Sequence, residues 1–406
     1  MRPHRPAVHA PARPAAHVSH HVSALQGSRM PHTSPAPHTP PASTSTSPAS
    51  TSTSPVSPSP ASTSTSTSPA TASCASPSHA FDLLVVGDAN PDIVLGPLDA
   101  PLAFGQREQL VDTGLLTLGG SAAIMACGAA RLGLKVAFAG RVGDDEAGRF
   151  VVAALTARGV DTGAVRFDPT LSTPLTVVVT RGDGDRTILT APGTLTATGA
   201  DDVPEALLGD SRHVHAASYF LLPKLAGALP ALFRTARAHG ATTSLDTNDD
   251  PAGAWDSDGS GGLGAVLAVT DFLLPNAREA RALAGLPEDA PVAEAARLLA
   301  SRGPLVAVKD GADGALVHDG RAVFRTPGIP AEPLDTVGAG DSFDAGFVAA
   351  MLAARALPDA LELAAVCGAL STRAYGGTPA QPTWDEACAA LPADPPVSTR
   401  DRKNVS

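Results

Sequence analysis

The segment at residues 335–343 combines residue types that suit phosphoryl transfer. It reads Asp-Thr-Val-Gly-Ala-Gly-Asp-Ser-Phe and leads into an apolar helical pattern. Gly338 and Gly340 let the backbone turn tightly around Ala339, so that successive N–H groups point the same way, and a helix N-terminus adds its positive dipole. Such a turn forms an anion hole for phosphoryl oxygens, and Asp341 beside it can take the proton of an attacking hydroxyl. Alternatively, Asp341 only caps the helix.

Polar residues also follow two apolar runs that read as strands, and open α/β sheets bind ligands where their strands end. Asp88, Asn90 and Asp92 come after the run at residues 81–87. Asp92 is either a ligand-binding carboxylate or a turn residue after a proline. Residues 245–251, Leu-Asp-Thr-Asn-Asp-Asp-Pro, either line a phosphate channel or form an Asx-type turn.

Two further segments follow strand-like runs. Asn276 and Glu279 offer an amide and a carboxylate, which are oxygen ligands of the kind that Mg²⁺ prefers. Alternatively, Asn276 caps a helix with an acidic first turn. Residues 309–314, Lys-Asp-Gly-Ala-Asp-Gly, read as a turn between two strands.

Two nucleotide-binding motifs are excluded. Gly259, Gly261 and Gly264 match the spacing of a dinucleotide fingerprint, but no strand precedes them, so a flexible loop is the better interpretation. The chain has no Gly-Lys-Ser/Thr sequence, which excludes the Walker-type kinases.

Strand-like and helical patterns alternate from residue 81 onward. Strands are predicted at residues 81–87, 135–139, 213–217, 242–246, 272–274 and 305–309. Helices are predicted at residues 121–132, 146–158, 225–239, 277–284, 292–301, 341–356, 360–375 and 384–391. This alternation predicts an α/β fold of parallel β-α-β units, with helices on both faces of one sheet.

Two stretches interrupt the alternation, at about residues 93–113 and 174–191. The first contains a polar–apolar rhythm at residues 107–112. The second has two β-rich arms, residues 175–180 and 186–190, around an Asp/Gly turn typical of a hairpin. They predict a small β-sheet lid that closes over the substrate.

The first 79 residues differ in composition from the rest. They are rich in Pro, Ser, Thr, Ala and His and lack Asp, Glu and Lys, so they cannot bury enough apolar surface to fold. We therefore expect a disordered tail at residues 1–79, one α/β domain at residues 80–392, and a flexible tail at residues 393–406.

Charge and hydropathy limit the partners. The chain carries a net charge of −11, which argues against nucleic acid and against an anionic membrane surface. The chain contains no run of about 20 apolar residues, which is the length needed to span a bilayer. Four cysteines lie far apart, without a Cys-x-x-Cys pattern, which favours reduced thiols and a cytoplasmic location.

Residues 335–341 resemble the C-terminal signature of the ribokinase-like (PfkB) carbohydrate kinase family. The resemblance covers about residues 81–391, with five motifs in the family's order. It implies a three-layer α/β/α fold with a mainly parallel central sheet and a small β-sheet lid. It also implies ATP and Mg²⁺, with K⁺ as a further candidate, and a small-molecule substrate. Because dimerisation through the lid is known in the family, a homodimer is a candidate assembly.

The resemblance implies roles for single residues. The catalytic set is Asp341 as base with Gly338, Ala339 and Gly340 as anion hole. The substrate-binding set is Asn90, Asp92, Gly119, Gly120 and Ser121. The nucleotide-binding set is Lys309, Asp310, Gly311, Gly314 and Gly368, with adenine between residues 309–314 and 367–377. The metal-binding set is Asn276 and Glu279 for Mg²⁺ through water, and Asp335 with the carbonyl of Val337 for a monovalent cation.

One residue departs from the family pattern. Ile124 occupies a position where the family usually has an Asn that binds the substrate's hydroxyls. An Ile cannot make that hydrogen bond, so either Ile124 packs in the core and another residue holds the hydroxyl, or the substrate is less polar.

The resemblance leaves three hypotheses for the function. A sugar kinase is the first, a nucleoside kinase of the same fold is the second, and a non-catalytic sugar or nucleotide sensor is the third.

Overall fold

The computed structural model of the chain describes residues 79–183, 185–255 and 262–392. The expectation of a disordered segment at residues 1–79 therefore lies outside the described residues, except for His79. The expected flexible tail at residues 393–406 lies outside them as well. Of the three spaced glycines, Gly259 and Gly261 lie outside the described residues, and Gly264 lies within a short helix.

The strands define two sheets. Their bounds are β1 (Phe81–Val86), β2 (Asn90–Gly96), β3 (Thr113–Gly119), β4 (Val136–Gly143), β5 (Asp161–Asp168), β6 (Leu175–Thr180), β7 (Arg186–Ala191), β8 (Ser211–Ala216), β9 (Thr242–Leu245), β10 (Phe272–Leu273), β11 (Leu305–Lys309), β12 (Ala315–His318) and β13 (Val323–Thr326).

Helices separate most strands of the larger sheet. Their bounds are α1 (Ser121–Arg131), α2 (Glu146–Thr156), α3 (Glu205–Gly209), α4 (Pro223–Ala238), α5 (Leu263–Leu267), α6 (Ala277–Leu283), α7 (Val292–Ala300), α8 (Ala339–Leu352), α9 (Leu357–Ser371) and α10 (Trp384–Ala389). In the part of the chain that the structure describes, no helix is both long and apolar enough to cross a membrane.

The larger sheet is mainly parallel, as predicted. Among the described residues its order is β13-β12-β11-β10-β9-β8-β1-β4-β5, and only β12 and β13 at one edge run antiparallel to their neighbours. Val86 at the end of β1 pairs with Ala139 of β4 and with Ala216 of β8. The carboxyl ends of the central strands therefore meet at one edge of the sheet.

Helices cover both faces of this sheet because its strands are apolar on both sides. On β1, Leu83 and Val85 pack in a core with α1, α8 and α9, while Leu84 and Val86 pack in a second core with α4 and α7. Phe138 and Phe347 are the largest fully buried side chains of the first core, and Phe233 is the largest of the second. Burying such a side chain stabilises the fold by roughly 1.5–3 kcal/mol. The three-layer α/β/α prediction is confirmed.

The second sheet is the predicted lid, in the order β3-β2-β6-β7. Its bounds differ from the prediction, because β2 already begins at Asn90 and β3 covers Thr113–Gly119. The rhythm at residues 107–112 was misleading: that segment is irregular, and the β2–β3 ladder ends with the pair Gly96 and Thr113. The hairpin arms were predicted correctly to within one residue.

The last two long helices differ from the prediction. Helix α8 stops at Leu352 rather than at residue 356, because Ala354 adopts a positive φ of 55°. Helix α9 begins at Leu357 rather than at residue 360, with a proline in its first turn, and ends at Ser371 rather than at residue 375.

Candidate active site

A cavity of about 690 Å³ lies where β9, β10 and β11 end. This volume is typical of a small-ligand site. Among the residues predicted for the site, those that line the cavity are Ser121, Asn276, Glu279, Lys309, Gly311, Gly314, Gly338, Ala339, Gly340, Asp341 and Gly368. Those that do not line it are Asn90, Asp92, Gly119, Gly120, Asp310, Asp335 and Val337.

The predicted anion hole is the N-terminus of α8. Gly338 precedes the helix with a φ of 74°, a conformation that favours glycine. The N–H of Ser342 donates to the Gly338 carbonyl at 2.9 Å. Among the described residues, the N–H groups of Gly340 and Asp341 have no acceptor, so both can bind an anion.

Asp341 lies in the first turn of α8 and is only 8% exposed. Burial and then the Asp246 carboxylate raise the pKa of its carboxyl, whereas Lys309 and a hydrogen bond from Ser121 lower it, and the resulting pKa is about 7. A carboxylate with a pKa near neutrality is suited to take a proton from a hydroxyl.

Close contacts fix the position of the turn that contains Gly338. A side chain at Gly338 would collide with Gly377 and press on Ile124. Ile124 is 3% exposed and packs against these two glycines. Ile124 is therefore buried, which agrees with the first of the two interpretations of this residue, and it lies beside the turn at Gly338.

Asp335 connects the same loop to the segment after α9. One carboxylate oxygen accepts from the N–H of Val337 at 3.0 Å and the other from the N–H of Gly376 at 2.8 Å. Asp335 and Val337 thus lie together behind the cavity wall, next to Thr336, which lines it.

Lys309 carries a buried ion-pair network. Its ammonium donates to Asp246 at 2.7 Å and to the two oxygens of Asp344 at 3.0 and 3.1 Å. Burial alone would lower the pKa of Lys309, but the carboxylates of Asp246, Asp344 and Glu279 outweigh it and raise that pKa. The lysine predicted to bind nucleotide is therefore a charged group bound to protein carboxylates.

Asn276 and Glu279 form the N-terminal cap of α6. The Asn276 N–H and side-chain amide donate to the two Glu279 carboxylate oxygens at 2.8 and 2.6 Å. The Glu279 N–H donates to the side-chain oxygen of Asn276 at 2.9 Å. Both also line the cavity, so the capping interpretation and a metal role are compatible. Burial, with Asp246 nearby, raises the pKa of Glu279 to about 7.

The predicted substrate residues lie at the start of the lid and of α1. Asn90 donates to Asp92 at 2.7 Å and to Thr176 on the neighbouring lid strand at 3.2 Å. A side chain at Gly119 would overlap the Asp92 carboxylate. Burial, and then the charge of Asp88, raises the pKa of Asp92 to about 7.

Two polar residues that were not assigned a role hold Ser121. Asp88 accepts from the N–H groups of Ser121 and Ala122 at 3.1 and 3.0 Å, which fixes the start of α1. Asn248 donates to the Ser121 hydroxyl at 2.8 Å. Since Ser121 bonds in turn to Asp341, these contacts connect four segments of the chain.

Glycines shape the predicted nucleotide side of the cavity. Gly314 has a φ of 98°, and a side chain there would collide with the backbone of residues 326–328. Gly311 and Gly314 line the cavity from the loop after β11, and Gly368 lines it from α9. Asp310 donates its N–H to the Gly314 carbonyl at 2.8 Å and closes the loop.

The lid reaches the anion-hole loop through Arg186. Its guanidinium donates to the Thr336 hydroxyl at 3.0 Å and lines the cavity. None of the described carboxylates forms an ion pair with it. The sequence pattern did not single out Arg186 or Asp344, because their partners are distant in the chain.

The predicted segment at residues 245–251 does reach the cavity. Asp246 and Asn248 line it, and the N–H of Asn248 donates to the Asp246 carboxylate at 3.0 Å, as in an Asx-type turn. The two interpretations of this segment are therefore compatible.

A family model described as pfkB family carbohydrate kinase matches residues 80–384 of the chain. The ATP-dependent ribose-1-phosphate kinase of Halopiger xanaduensis is 34% identical over 309 residues, which cover 76% of this chain and 97% of that protein. A fructokinase of Klebsiella pneumoniae is 34% identical over 284 residues, which cover 66% of this chain and 90% of that protein.

A solved structure has the same fold along its whole length. The Arabidopsis thaliana ribokinase complexed with ribose and ATP matches with a TM-score of 0.66 and 26% identity, over 78% of this chain and 100% of the ribokinase.

Proposed function

Because the chain belongs to the pfkB family of carbohydrate kinases, we propose that the protein transfers the γ-phosphoryl group of ATP to a hydroxyl of a sugar or sugar-like substrate. The reaction would take place in this cavity, with Asp341 as the base. The observation that carries this proposal is the pairing of a buried carboxyl, whose pKa is about 7, with two N–H groups that lack acceptors in the same helical turn.

The reaction proceeds by in-line transfer. The substrate oxygen bonds to the γ-phosphorus, the bond from that phosphorus to the β,γ-bridging oxygen breaks, and ADP leaves. The hydroxyl proton passes to the Asp341 carboxylate. The N–H groups of Gly340 and Asp341 donate to the equatorial phosphoryl oxygens and stabilise their charge. Gly338 and Ala339 shape the turn that presents these donors.

Mg²⁺ is proposed to bind near Asn276 and Glu279 through water. The donor set fits, because Glu279 is a buried carboxylate that lines the cavity, and Mg²⁺ takes few protein ligands and keeps several waters. Bound Mg²⁺ would neutralise phosphate charge and orient the γ-phosphoryl group. The capping bonds from Asn276 hold the Glu279 carboxylate in one orientation.

A monovalent cation, with K⁺ as the candidate, is proposed near Asp335 and the Val337 carbonyl. The Val337 carbonyl and the Asp335 carboxylate offer oxygen ligands that fit such an ion. The carboxylate is held in place because it accepts from the N–H groups of Val337 and Gly376. It would order the anion hole without contacting the substrate. Replacing K⁺ by choline should lower kcat if the proposal is right and leave it unchanged if it is wrong.

The nucleotide is proposed to lie between the loop after β11 and α9. The glycines Gly311, Gly314 and Gly368 keep that part of the cavity open for the adenosine. Asp310 supports the loop from outside. The substrate is proposed to lie on the other side of Asp341, near Asn90, Asp92, Gly119, Gly120 and Ser121, under the lid.

A sugar phosphate is a second candidate substrate. Arg186 lines the cavity without a carboxylate partner among the described residues, so its guanidinium is available for an anionic group. Guanidinium groups bind phosphate and carboxylate well because their paired donors match the oxygens. The ribose-1-phosphate kinase relative supports this candidate.

The proposed setting is the cytoplasm, with small molecules rather than nucleic acid or membrane as partners. The net charge of −11 disfavours polyanions. Cys127, Cys367 and Cys388 are free thiols, which suits a reducing compartment. A homodimer through the lid is supported by its exposed apolar side chains, among them Leu116, Ile188 and Leu189.

A substrate panel tests the proposed function. ADP release with ATP should be measured for ribose, fructose, ketodeoxygluconate, ribose 1-phosphate, adenosine and inosine. We expect turnover with a sugar or sugar phosphate, followed by assignment of the phosphorylated position. Turnover only with the nucleosides would favour the nucleoside kinase. Saturable binding of a panel member without ADP release would favour the sensor and contradict the proposal.

A further inference from the structure

Lys309 is held by two buried carboxylates of the protein, a setting that binding of a nucleotide alone does not require. It ends β11, while Asp246 follows β9 and Asp344 lies in α8, so three separate elements supply the network. The side chains of Lys309, Asp246 and Asp344 are 11%, 2% and 1% exposed. An ammonium has three N–H donors, and the contacts to these two carboxylates account for all of them.

This network touches the catalytic turn directly. A β-carbon placed on Gly340 would lie 3.5 Å from the Lys309 Nζ, so the lysine passes beneath the backbone that carries the anion hole. One carboxylate oxygen each from Asp246, Asp341 and Asp344 lies within 4.8 Å of the others. The ammonium is therefore the cation inside a cluster of three carboxylates, one of which is Asp341.

Such a cluster needs its cation, because like charges at this spacing disfavour ionisation of all three carboxyls. Without Lys309, the carboxyl groups would share protons or move apart. Either change would reach Asp341, because Asp341 and Asp344 lie one turn apart on α8 and Gly340 rests on the lysine.

We propose that Lys309 is a positioning residue for Asp341: its ammonium joins Asp246 to Asp344 beneath Gly340 and so holds the base and the anion-hole turn in their reactive arrangement. This proposal rests on the role of Asp341 as base. It replaces the predicted direct contact between Lys309 and the nucleotide.

Several charged or polar groups face Asp341 from the elements around it. They are Asp246 after β9, Lys309 at the end of β11, Asp88 after β1, Ser121 at the start of α1 and Asp344 on α8. Burial is the main cause of the raised pKa of Asp341. Among the charges, Asp246 and Asp88 raise this pKa and Lys309 lowers it. Lys309 and Asp246 therefore act on the base with opposite signs.

The opposite effects of Lys309 and Asp246 on the pKa of Asp341 distinguish the positioning role from a purely structural one. The pH dependence of kcat/KM is measured for Lys309→Met and for Asp246→Asn. We expect the acid limb to move to higher pH in Lys309→Met and to lower pH in Asp246→Asn. Lys309→Arg, which keeps the charge, should leave the limb near its original pH although kcat falls.

Lys309→Met leaves buried carboxylates unpaired and can prevent folding. The double variant Lys309→Met/Asp344→Asn removes one charge of each sign and avoids that imbalance. We expect it to fold, to bind ATP with a Kd within about threefold of the original, and to lose at least tenfold in kcat.

Arg141 provides a matched control away from the cavity. Its guanidinium is 13% exposed and pairs with Asp168 and Asp202, both at 2.9 Å. Arg141→Met should lower the unfolding temperature and leave the acid limb where it was.

Three outcomes would overturn the proposal: no shift of the acid limb in the foldable variants, shifts of the same sign in Lys309→Met and Asp246→Asn, or a rise of at least tenfold in the ATP Kd with the limb unchanged. Failure of the proposed function is distinguishable, because it would appear as full turnover in Asp341→Asn. Opposite shifts together with retained ATP binding would support the positioning role.

Discussion

Arg186 on the lid strand β7 donates a hydrogen bond to the hydroxyl of Thr336, 150 residues further along the chain, over 3.0 Å. Thr336 belongs to the loop that precedes α8, and Arg186 also lines the cavity. The guanidinium therefore connects the lid to the turn that is proposed as the anion hole. Under the proposed function, this side chain lies between the substrate side of the cavity and that turn.

Replacing Arg186 should affect anionic substrates most. A hydrogen bond to a charged group contributes about 1.5–3 kcal/mol, which corresponds to roughly ten- to hundredfold in affinity. We expect Arg186→Ala to raise the KM of a sugar phosphate by that factor and the KM of a neutral sugar by much less. Arg181→Ala is the control, because Arg181 lies between the lid strands β6 and β7, is not among the residues that line the cavity, and pairs with Asp183 among the described residues. Equal effects on both substrates would restrict Arg186 to a role in closing the lid.

Activity should depend on pH through Asp341. Burial raises the pKa of this carboxyl to about 7, so it holds its proton below that pH and cannot act as base. We expect kcat/KM to rise as pH increases through about 7 and then to level off. The profile is measured with saturating ATP and varied sugar.

Asp92 also has a raised pKa of about 7 and could contribute to the same limb. Asp92→Asn separates the two groups, because it removes one titration and keeps a side chain of the same shape. The account expects the acid limb to persist in Asp92→Asn with a higher KM. A limb that disappears in this variant would assign the titration to Asp92 instead.

Glu279→Gln should weaken the use of Mg²⁺ without unfolding the protein. A Gln can keep the bond to the Asn276 N–H, since capping boxes accept Glu or Gln. The loss of charge should raise the Mg²⁺ concentration needed for half-maximal rate by about tenfold, in line with mutations around metal sites. Glu386→Gln changes the same kind of box on α10, which lies outside the cavity lining, and should leave the Mg²⁺ requirement unchanged. Equal Mg²⁺ dependence in both variants would contradict the metal role.

Gly338→Ala should harm catalysis more than its backbone strain alone explains. An alanine at a positive φ costs about 1–2 kcal/mol, and here its methyl group would also collide with the Gly377 Cα. Gly159→Ala is the matched control, because Gly159 has a similar φ of 82° and nothing within 4 Å of the added carbon. We expect both variants to unfold at lower temperature and only Gly338→Ala to lose kcat by at least tenfold. Unchanged kcat in Gly338→Ala would argue against a fixed anion hole.

The large sheet could be predicted from the sequence because its strands are buried on both faces and read as continuous apolar runs. Strand β5 was missed because half of the residues in Asp161–Asp168 are polar, and all but one of the eight are exposed or only partly buried at the sheet edge. Strand β2 begins with Asn90 and Pro91, which read as a turn. Its pairing with β6 involves residues more than 80 positions away, which no local pattern reveals.

The position of residues 338–341 at a helix start beside the cavity was predictable from local sequence, because glycines, a carboxylate and the start of an apolar helical pattern lie within a few residues. The network around Lys309 was not, because its partners Asp246 and Asp344 lie 63 and 35 residues away. Local spacing indicated a turn after β11 and could not show which carboxylates the lysine meets. The role of Ile124 likewise depends on its contact with Gly377, which folding alone creates.

The most direct test of the account is single-turnover phosphoryl transfer by Asp341→Asn, measured beside ATP binding with the sugar that the panel identifies. Loss of a positioned base costs roughly a hundredfold to ten-thousandfold in rate. The account predicts a loss in that range with an ATP Kd within about threefold of the original, because the variant keeps the N–H donors of the turn. Transfer at the original rate in Asp341→Asn would contradict it.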